Sequence, residues 1–287
     1  MNKHDSKLDL KKSTILIVDS CACGLAVLKS ILPFVENYNV IYFADTEYNP
    51  LGLKTKEQLS KIISSWHNIT FNNEIKADIL ILACNTASIS SRISPVYPSI
   101  DQHLNVINMV DAFEQMLKKN AQLIKNKRVG LMATRSTINS RYYQSLIDLY
   151  NPKEIIEIIA TQCEKAVAHN YFETNKGKKE INCELSDYAK HSLDIIILAC
   201  TCFGYIKNQI AATTNPSTMF MDPSDFVSKL TKESLNTKTF LPKKPFDVVF
   251  LSSGNTLQNR ETKSLSKKIF GVEMDFETIK LKREIIS

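Results

Sequence analysis

The sequence predicts an α/β protein built as two pseudo-symmetric, doubly wound units with mostly parallel sheets and a cleft between them. Three observations lead there. Asp78-Ile-Leu-Ile-Leu-Ala-Cys84 returns as Asp194-Ile-Ile-Ile-Leu-Ala-Cys200, and an aliphatic run without polar alternation fits a parallel strand buried on both faces. Strand-like runs alternate with helix-like ones along most of the chain, which is the mark of βαβ units. The chain has 287 residues and 44% apolar content, enough for two units of ordinary size with a core each.

Strands are expected at residues 14–18, 40–43, 78–83, 106–109, 128–132, 155–160, 195–199 and 247–251, where β-branched, aliphatic and aromatic residues gather. Helices are expected between them at 24–32, 55–66, 111–123, 139–149 and 223–230, with a last one after the final strand. Asn108-Met-Val-Asp111 suits a crossing into the second unit, and Thr213-Thr-Asn-Pro-Ser217 suits the crossing back. The expected division is therefore 13–108 with 219–287 as the first unit, 109–218 as the second, and 1–12 as a flexible tail. Pro242 and Pro245 flank Lys243-Lys244 and make that stretch a connector. Lys176-Gly-Lys-Lys-Glu180 reads as a solvated loop.

Composition excludes several functions. No apolar stretch reaches the length of a membrane span, and residues 1–12 are charged rather than apolar, so neither a membrane nor a secretory signal is expected and the cytoplasm is the expected compartment. The net charge of +6 is spread and mixed with acids, which speaks against a nucleic-acid partner. Seven cysteines in such a chain point to chemistry or metal rather than disulfides.

The two repeated runs each end in a thiol, followed by Asn85-Thr86 in one copy and Thr201 in the other. In an open α/β sheet the carboxyl ends of the strands face the ligand crevice, so facing sheets present one sulfur from each side. A helix starting at the thiol would stabilise the thiolate by roughly 0.3 to 1 kcal/mol. Two thiols flanking one carbon can act in opposite directions, one removing a proton and the other returning one to the far face, which is stereoinversion without a cofactor. The turn Asp19-Ser-Cys-Ala-Cys-Gly24 can orient an ammonium or tune a thiol. Pro50-Leu-Gly52 allows backbone amides to approach a carboxylate, and Thr134 and Thr137 add hydroxyls at a further helix start.

With these motifs in view, the chain resembles the glutamate racemases. The likeness runs from Asp19-Ser20 through Tyr42-Phe-Ala-Asp-Thr46, Pro50-Leu-Gly52, Ala83-Cys-Asn-Thr-Ala-Ser88, Thr134 to Thr137 and Ala199-Cys-Thr201 to Val249-Phe-Leu-Ser-Ser-Gly254. It implies a cofactor-independent enzyme that interconverts L- and D-glutamate for peptidoglycan, works as a homodimer, and holds its substrate between two pseudo-symmetric α/β domains. By that resemblance Cys84 takes the α-proton of D-glutamate, Cys200 that of L-glutamate, and Asp19 partners the first thiol and the substrate amine. Ser20, the backbone of Pro50, Leu51 and Gly52, and Asn85, Thr86, Thr134, Thr137 and Thr201 hold the rest of the substrate. The family's first turn has glycines where this chain has Cys21 and Cys23, and a His where it has Cys202; Leu51 stands for a Tyr and Ala133 for a Gly. An expected acid near Thr161-Gln-Cys-Glu164 is not placed by the sequence. No metal is assigned, because the pairs are Cys-x-Cys and five thiols exceed a tetrahedral site; the other readings are an aspartate racemase, a thiolate metal or redox site, and a binding module without catalysis. His67, His103, His169 and His191 show no ligand spacing and read as surface or helix-end residues. Trp66 reads as core, and Asp101 and Asp111 have no role.

Overall fold

The structure, a computed structural model, describes residues 8–280 apart from 10, 72–74, 76, 94–103, 187 and 236–247. The connector around Pro242 and Pro245, together with His103, Asp101 and most of the expected N-terminal tail, lies outside the described residues. Among the described residues ten strands form two sheets: β1 (Thr14–Asp19), β2 (Asn39–Ala44), β3 (Ile79–Leu82), β4 (Asn105–Asn108), β9 (Val248–Ser252) and β10 (Glu277–Thr278) in one, and β5 (Arg128–Ala133), β6 (Glu154–Ile159), β7 (Ile195–Ala199) and β8 (Met219–Met221) in the other. Every pairing is parallel.

The strand orders are β10-β9-β2-β1-β3-β4 and β6-β5-β7-β8. The first four strands of each unit are wound alike, with the first strand between the second and third. The chain leaves β1 to one side for β2 and to the other for β3, and does the same from β5 to β6 and β7. Those reversal points are where an open parallel sheet opens a crevice at its carboxyl edge. Asp19 ends β1 and Cys84 lies two residues past β3; Thr134 follows β5 and Cys200 follows β7. The repeated aliphatic runs are β3 and β7, buried along their whole length.

The expected boundary at 218/219 falls one strand early. Met219–Met221 pairs with β7 and completes the second four-strand winding, so the chain returns to the first sheet only afterwards. The segment is exposed at its first residue and only three residues long, too short to show a strand pattern.

Side-chain alternation sorts each strand between two layers. Leu16, Val18, Leu80 and Leu82 pack with Leu59, Ile62, Ile63 and Trp66 of the Lys56–Phe71 helix. On the far side of the second sheet, Val129, Leu131, Ile195 and Ile197 pack with Val110, Phe113 and Met116 of the Met109–Lys119 helix. The opposite faces, including Ile15, Ile17, Ile81, Ile158, Ile196 and Leu198, belong to one cluster spanning both sheets. Trp66 is core, as expected, and its Nε1 donates to the Asp45 carboxylate, which also accepts from Ser253 Oγ at 2.5 Å.

Two readings are corrected. Residues 176–180 are not a loop but part of the Asn175–Ser186 helix, which buries Gly177, Ile181 and Leu185 along one face. Three apolar contacts at four-residue spacing outweigh the lysines, which stay on the wet side. This helix also supplies Glu184, whose carboxylate accepts the amides of Gln162 and Cys163 at 2.9 and 2.8 Å and so caps the Thr161–Ala168 helix. His67 is not at the surface: it is buried beside Ser91 Oγ at 3.4 Å, and burial pushes its imidazole down to about 4. His169 is a surface partner of Glu261 at 3.0 Å, and His191 is exposed.

Candidate active site

Asp19 is the centre of the first unit's contribution. One carboxylate oxygen accepts the Ser20 amide at 2.7 Å and the other the Gly24 amide at 2.6 Å. Burial nevertheless raises its carboxyl well above the usual range, with the nearby Cys21 sulfur adding to the effect and the two amides opposing it. Gly24 is required for closeness rather than for backbone angle: a β-carbon there would lie 2.8 Å from Asp19 Oδ2 and 2.9 Å from Asp19 Cβ. Ser20 Oγ links the carboxylate to the thiol, 3.5 Å from Asp19 Oδ1 and 3.7 Å from Cys84 Sγ.

Cys84 precedes the Asn85–Ile93 helix, as expected, and the Ala87 amide bonds its sulfur. The expected net lowering of its pKa does not follow. Burial pushes the thiol up first, and the nearby Asp19 carboxyl and then the Cys200 sulfur push the same way, against the Ala87 amide and the Ser20 hydroxyl. A helix end is worth roughly 0.3 to 1 kcal/mol, whereas full burial shifts a group by up to several pKa units. For both thiols the net direction is toward the protonated form.

The second unit meets the first on the same carboxylate. Thr201 Oγ1 donates to Asp19 Oδ2 at 3.5 Å, which brings the residue after Cys200 beside the aspartate that Ser20 joins to Cys84. Cys200 is partly exposed. A hydrogen bond from Cys202 is the largest influence on it and favours the thiolate, but burial and Glu164 carry the net shift upward. No α-helix starts at Cys200, contrary to expectation: a turn and the 3-10 segment Phe203–Ile206 intervene.

Three threonines close the other side. Thr86 Oγ1 lies 3.0 Å from Thr134 Oγ1 and 3.1 Å from Thr137 Oγ1, and the latter two are 3.1 Å apart. The triad crosses the units, since Thr86 follows β3 and the other two follow β5. Tyr143 Oη donates to Asn85 Oδ1 at 2.7 Å, while the buried Asn85 Nδ2 has no partner among the described residues. Gly52 lies against the same cluster: a β-carbon there would meet Thr134 Cβ at 2.7 Å and Glu164 Oε2 at 3.2 Å. Leu51 is 1% exposed and packs its side chain into the core cluster that contains Cys84, and Pro50 follows a cis peptide bond. A cavity of 290 Å³ runs along Gly52, Thr86, Arg135 and Thr137; neither Cys84 nor Cys200 lines it.

Sequence reasoning missed Tyr143 and left Glu164 unplaced. The latter sits in the first turn after β6, 7% exposed, and faces Gly52. Its only signal is an acid just past a strand's carboxyl end. Burial, then the Cys21 sulfur and Glu184, push its carboxyl from 4.5 up to about 8. The folded chain thus keeps a proton that the unfolded chain has already lost over that interval, so stability from this group is fullest at low pH and falls as pH rises toward 8. Glu164→Gln is expected to flatten this slope and to stabilise the protein at pH 8 by on the order of 2 kcal/mol, read as melting temperature against pH.

No family profile matches the chain. The glutamate racemase of Buchnera aphidicola is 34% identical over 230 residues, covering 76% of this chain and 84% of that one. This chain belongs to the glutamate racemase family. Among solved structures, the glutamate racemase isoform RacE1 of Bacillus anthracis superposes with a TM-score of 0.77 at 18% identity, covering 95% of this chain and 99% of the other. The Francisella tularensis glutamate racemase in complex with D-glutamate gives 0.74 at 24% identity, again over 95% and 99%. These likenesses bear out the resemblance drawn from the motifs and the two-sheet α/β architecture, and they set the chain among the isomerases. The cysteines that replace the family's first-turn glycines need no left-handed backbone, because neither Cys21 nor Cys23 has a positive φ among the described residues.

Proposed function

We propose that this protein racemises glutamate at its α-carbon without a cofactor, with Cys84 and Cys200 as the two bases. The observation that carries the reading is the convergence on Asp19 of Ser20, which touches the Cys84 sulfur, and of Thr201, which adjoins Cys200. One thiol approaches from each unit, as inversion at one carbon requires.

Substrate binding supplies what the unliganded thiols lack. An ammonium beside Asp19 offsets the charge that holds the Cys84 proton, and Ser20 bridges thiol and carboxylate, giving that proton a path. Cys200 has the Cys202 hydrogen bond to favour its thiolate. In the reading, Cys200 takes the α-proton of L-glutamate while Cys84 delivers one to the opposite face, and the reverse holds for D-glutamate. The carboxylates rest on the Thr86, Thr134 and Thr137 hydroxyls, the Asn85 Nδ2 and the backbone from Pro50 to Gly52. Hydrogen bonds in a water-poor cleft hold the charge that develops at the α-carbon. The units act as domains that close on the substrate, the second extending through β8. The D-glutamate made serves peptidoglycan synthesis, and the active form is a homodimer. No helix among the described residues is long and apolar enough to cross a membrane.

The test is proton NMR of L-glutamate in deuterated water: the α-proton signal fades with this protein and aspartate keeps its own. Persistence of the glutamate signal rejects the reading. Thr134→Val opens the hydroxyl triad while keeping shape; KM for glutamate is expected to rise about fivefold with kcat little changed, since one hydrogen bond is worth about 1 kcal/mol.

A further inference from the structure

We infer that Cys21, Cys23 and Cys202 form a binding site for a soft, thiophilic d10 cation, copper(I) or zinc(II), set between the two units. The three sulfurs lie within 4.8 Å of one another, and the residues are 5%, 0% and 2% exposed. Their ligand atoms come from opposite sides of the crevice. Cys21 and Cys23 follow β1 and Cys202 follows β7, so each thiol stands on the end of a buried strand rather than on a long loop.

Too many thiols in one cleft argued against a metal at the level of sequence. The structure sorts the five: Cys21, Cys23 and Cys202 gather, and Cys84 and Cys200 stand outside the group. Three soft ligands then face a common point, which selects for soft cations over calcium or magnesium. Metal–sulfur bonds of about 2.3 Å place three thiolates about 4 Å apart around one ion. The cluster matches that size, with one adjustment: Cys23 Sγ and Cys202 Sγ are 2.7 Å apart and separate on binding. The sulfurs bond to each other, to their own loop and, from Cys202, to Cys200, with Cys21 Sγ 3.4 Å from the Cys23 amide and 3.8 Å from Asp19 Oδ2. Three buried sulfurs turned on one another repel as thiolates unless a cation lies between them. Three thiolates complete a trigonal copper(I) site, whereas zinc(II) takes a fourth ligand. The ion ties the turn after β1 to the turn after β7 and takes no proton itself; bound as a thiolate, Cys202 gives up the hydrogen bond to Cys200 that it makes in the metal-free protein.

The experiment uses the full chain purified without chelator under anaerobic, reducing conditions. Metal content is measured by mass spectrometry, and the stripped protein is titrated with copper(I) against a chromophoric competitor and with cobalt(II) as a zinc surrogate. One equivalent of copper(I) or cobalt(II), with thiolate-to-metal charge-transfer absorption for cobalt, is expected. Cys21→Ser and Cys202→Ser should each weaken binding by more than about tenfold, and Cys183→Ser, at an exposed position elsewhere, should bind like the parent. Absence of binding by both ions overturns the site, as does unchanged binding in both Cys21→Ser and Cys202→Ser, each shown folded by circular dichroism. A Cys23–Cys202 disulfide found in the anaerobic protein by peptide mass mapping overturns it too, in favour of a redox bridge.

Discussion

Replacing either Cys84 or Cys200 with Ser is expected to lower racemisation in both directions by about three orders of magnitude, the scale on which a positioned acid or base contributes. A hydroxyl is too weak an acid to serve as the base at neutral pH, yet it fills nearly the same space, so the cleft keeps its shape. The two losses are not identical. Each variant retains one thiol and with it slow removal of the α-proton of one enantiomer, Cys84→Ser for L-glutamate and Cys200→Ser for D-glutamate, seen as exchange to the extent that the thiol trades its proton with solvent before returning it. Following α-proton exchange and optical rotation separately resolves the two. Full activity in both variants contradicts the two-base scheme, and identical exchange behaviour contradicts the assignment of faces.

Gly177→Ala is expected to destabilise the protein by more than about 3 kcal/mol, beyond the usual range for overpacking. Helix propensity alone predicts the opposite sign, a gain of about 1 kcal/mol. The clash decides, because the added carbon would lie 2.1 Å from the Tyr171 carbonyl oxygen and 2.8 Å from Phe172 Cα, both backbone. No side-chain rotamer relieves that contact, so the helix must move off its bed and carry with it Glu184, the cap of the helix that positions Glu164. Activity should therefore fall along with the chemical-denaturation midpoint. A variant as stable as the parent would mean that the helix packs farther from residues 171 and 172.

Much of this was legible because parallel strands buried on both faces leave an unmistakable aliphatic signature. β1, β3, β5 and β7 were read to within a residue or two, and of the polar residues at their ends Ser20, Cys84 and Thr201 gather around Asp19 while Thr86, Thr134 and Thr137 gather on one another. What the sequence hid has physical reasons. β8 pairs through backbone groups over three residues and carries almost no side-chain pattern. The Asn175–Ser186 helix buries only Gly177, Ile181 and Leu185, which its lysines mask. His67 and Glu164 are polar residues whose neighbours come from distant parts of the chain, so burial alone reveals them. The thiol pKa values were misjudged for a related reason: a helix end is visible in sequence, while the desolvation that outweighs it is not.

The most direct test of opposed thiols is isotope placement early in the reaction. L-Glutamate is incubated in deuterated water and, at low conversion, both enantiomers are separated and weighed for deuterium. Two monoprotic bases on opposite faces deliver solvent deuterium to the D-glutamate formed and return the original proton to any L-glutamate released, so the product is labelled and the recovered substrate is not. Equal labelling of the two enantiomers from the start would show a single base serving both faces, and the account given for Cys84 and Cys200 would be wrong.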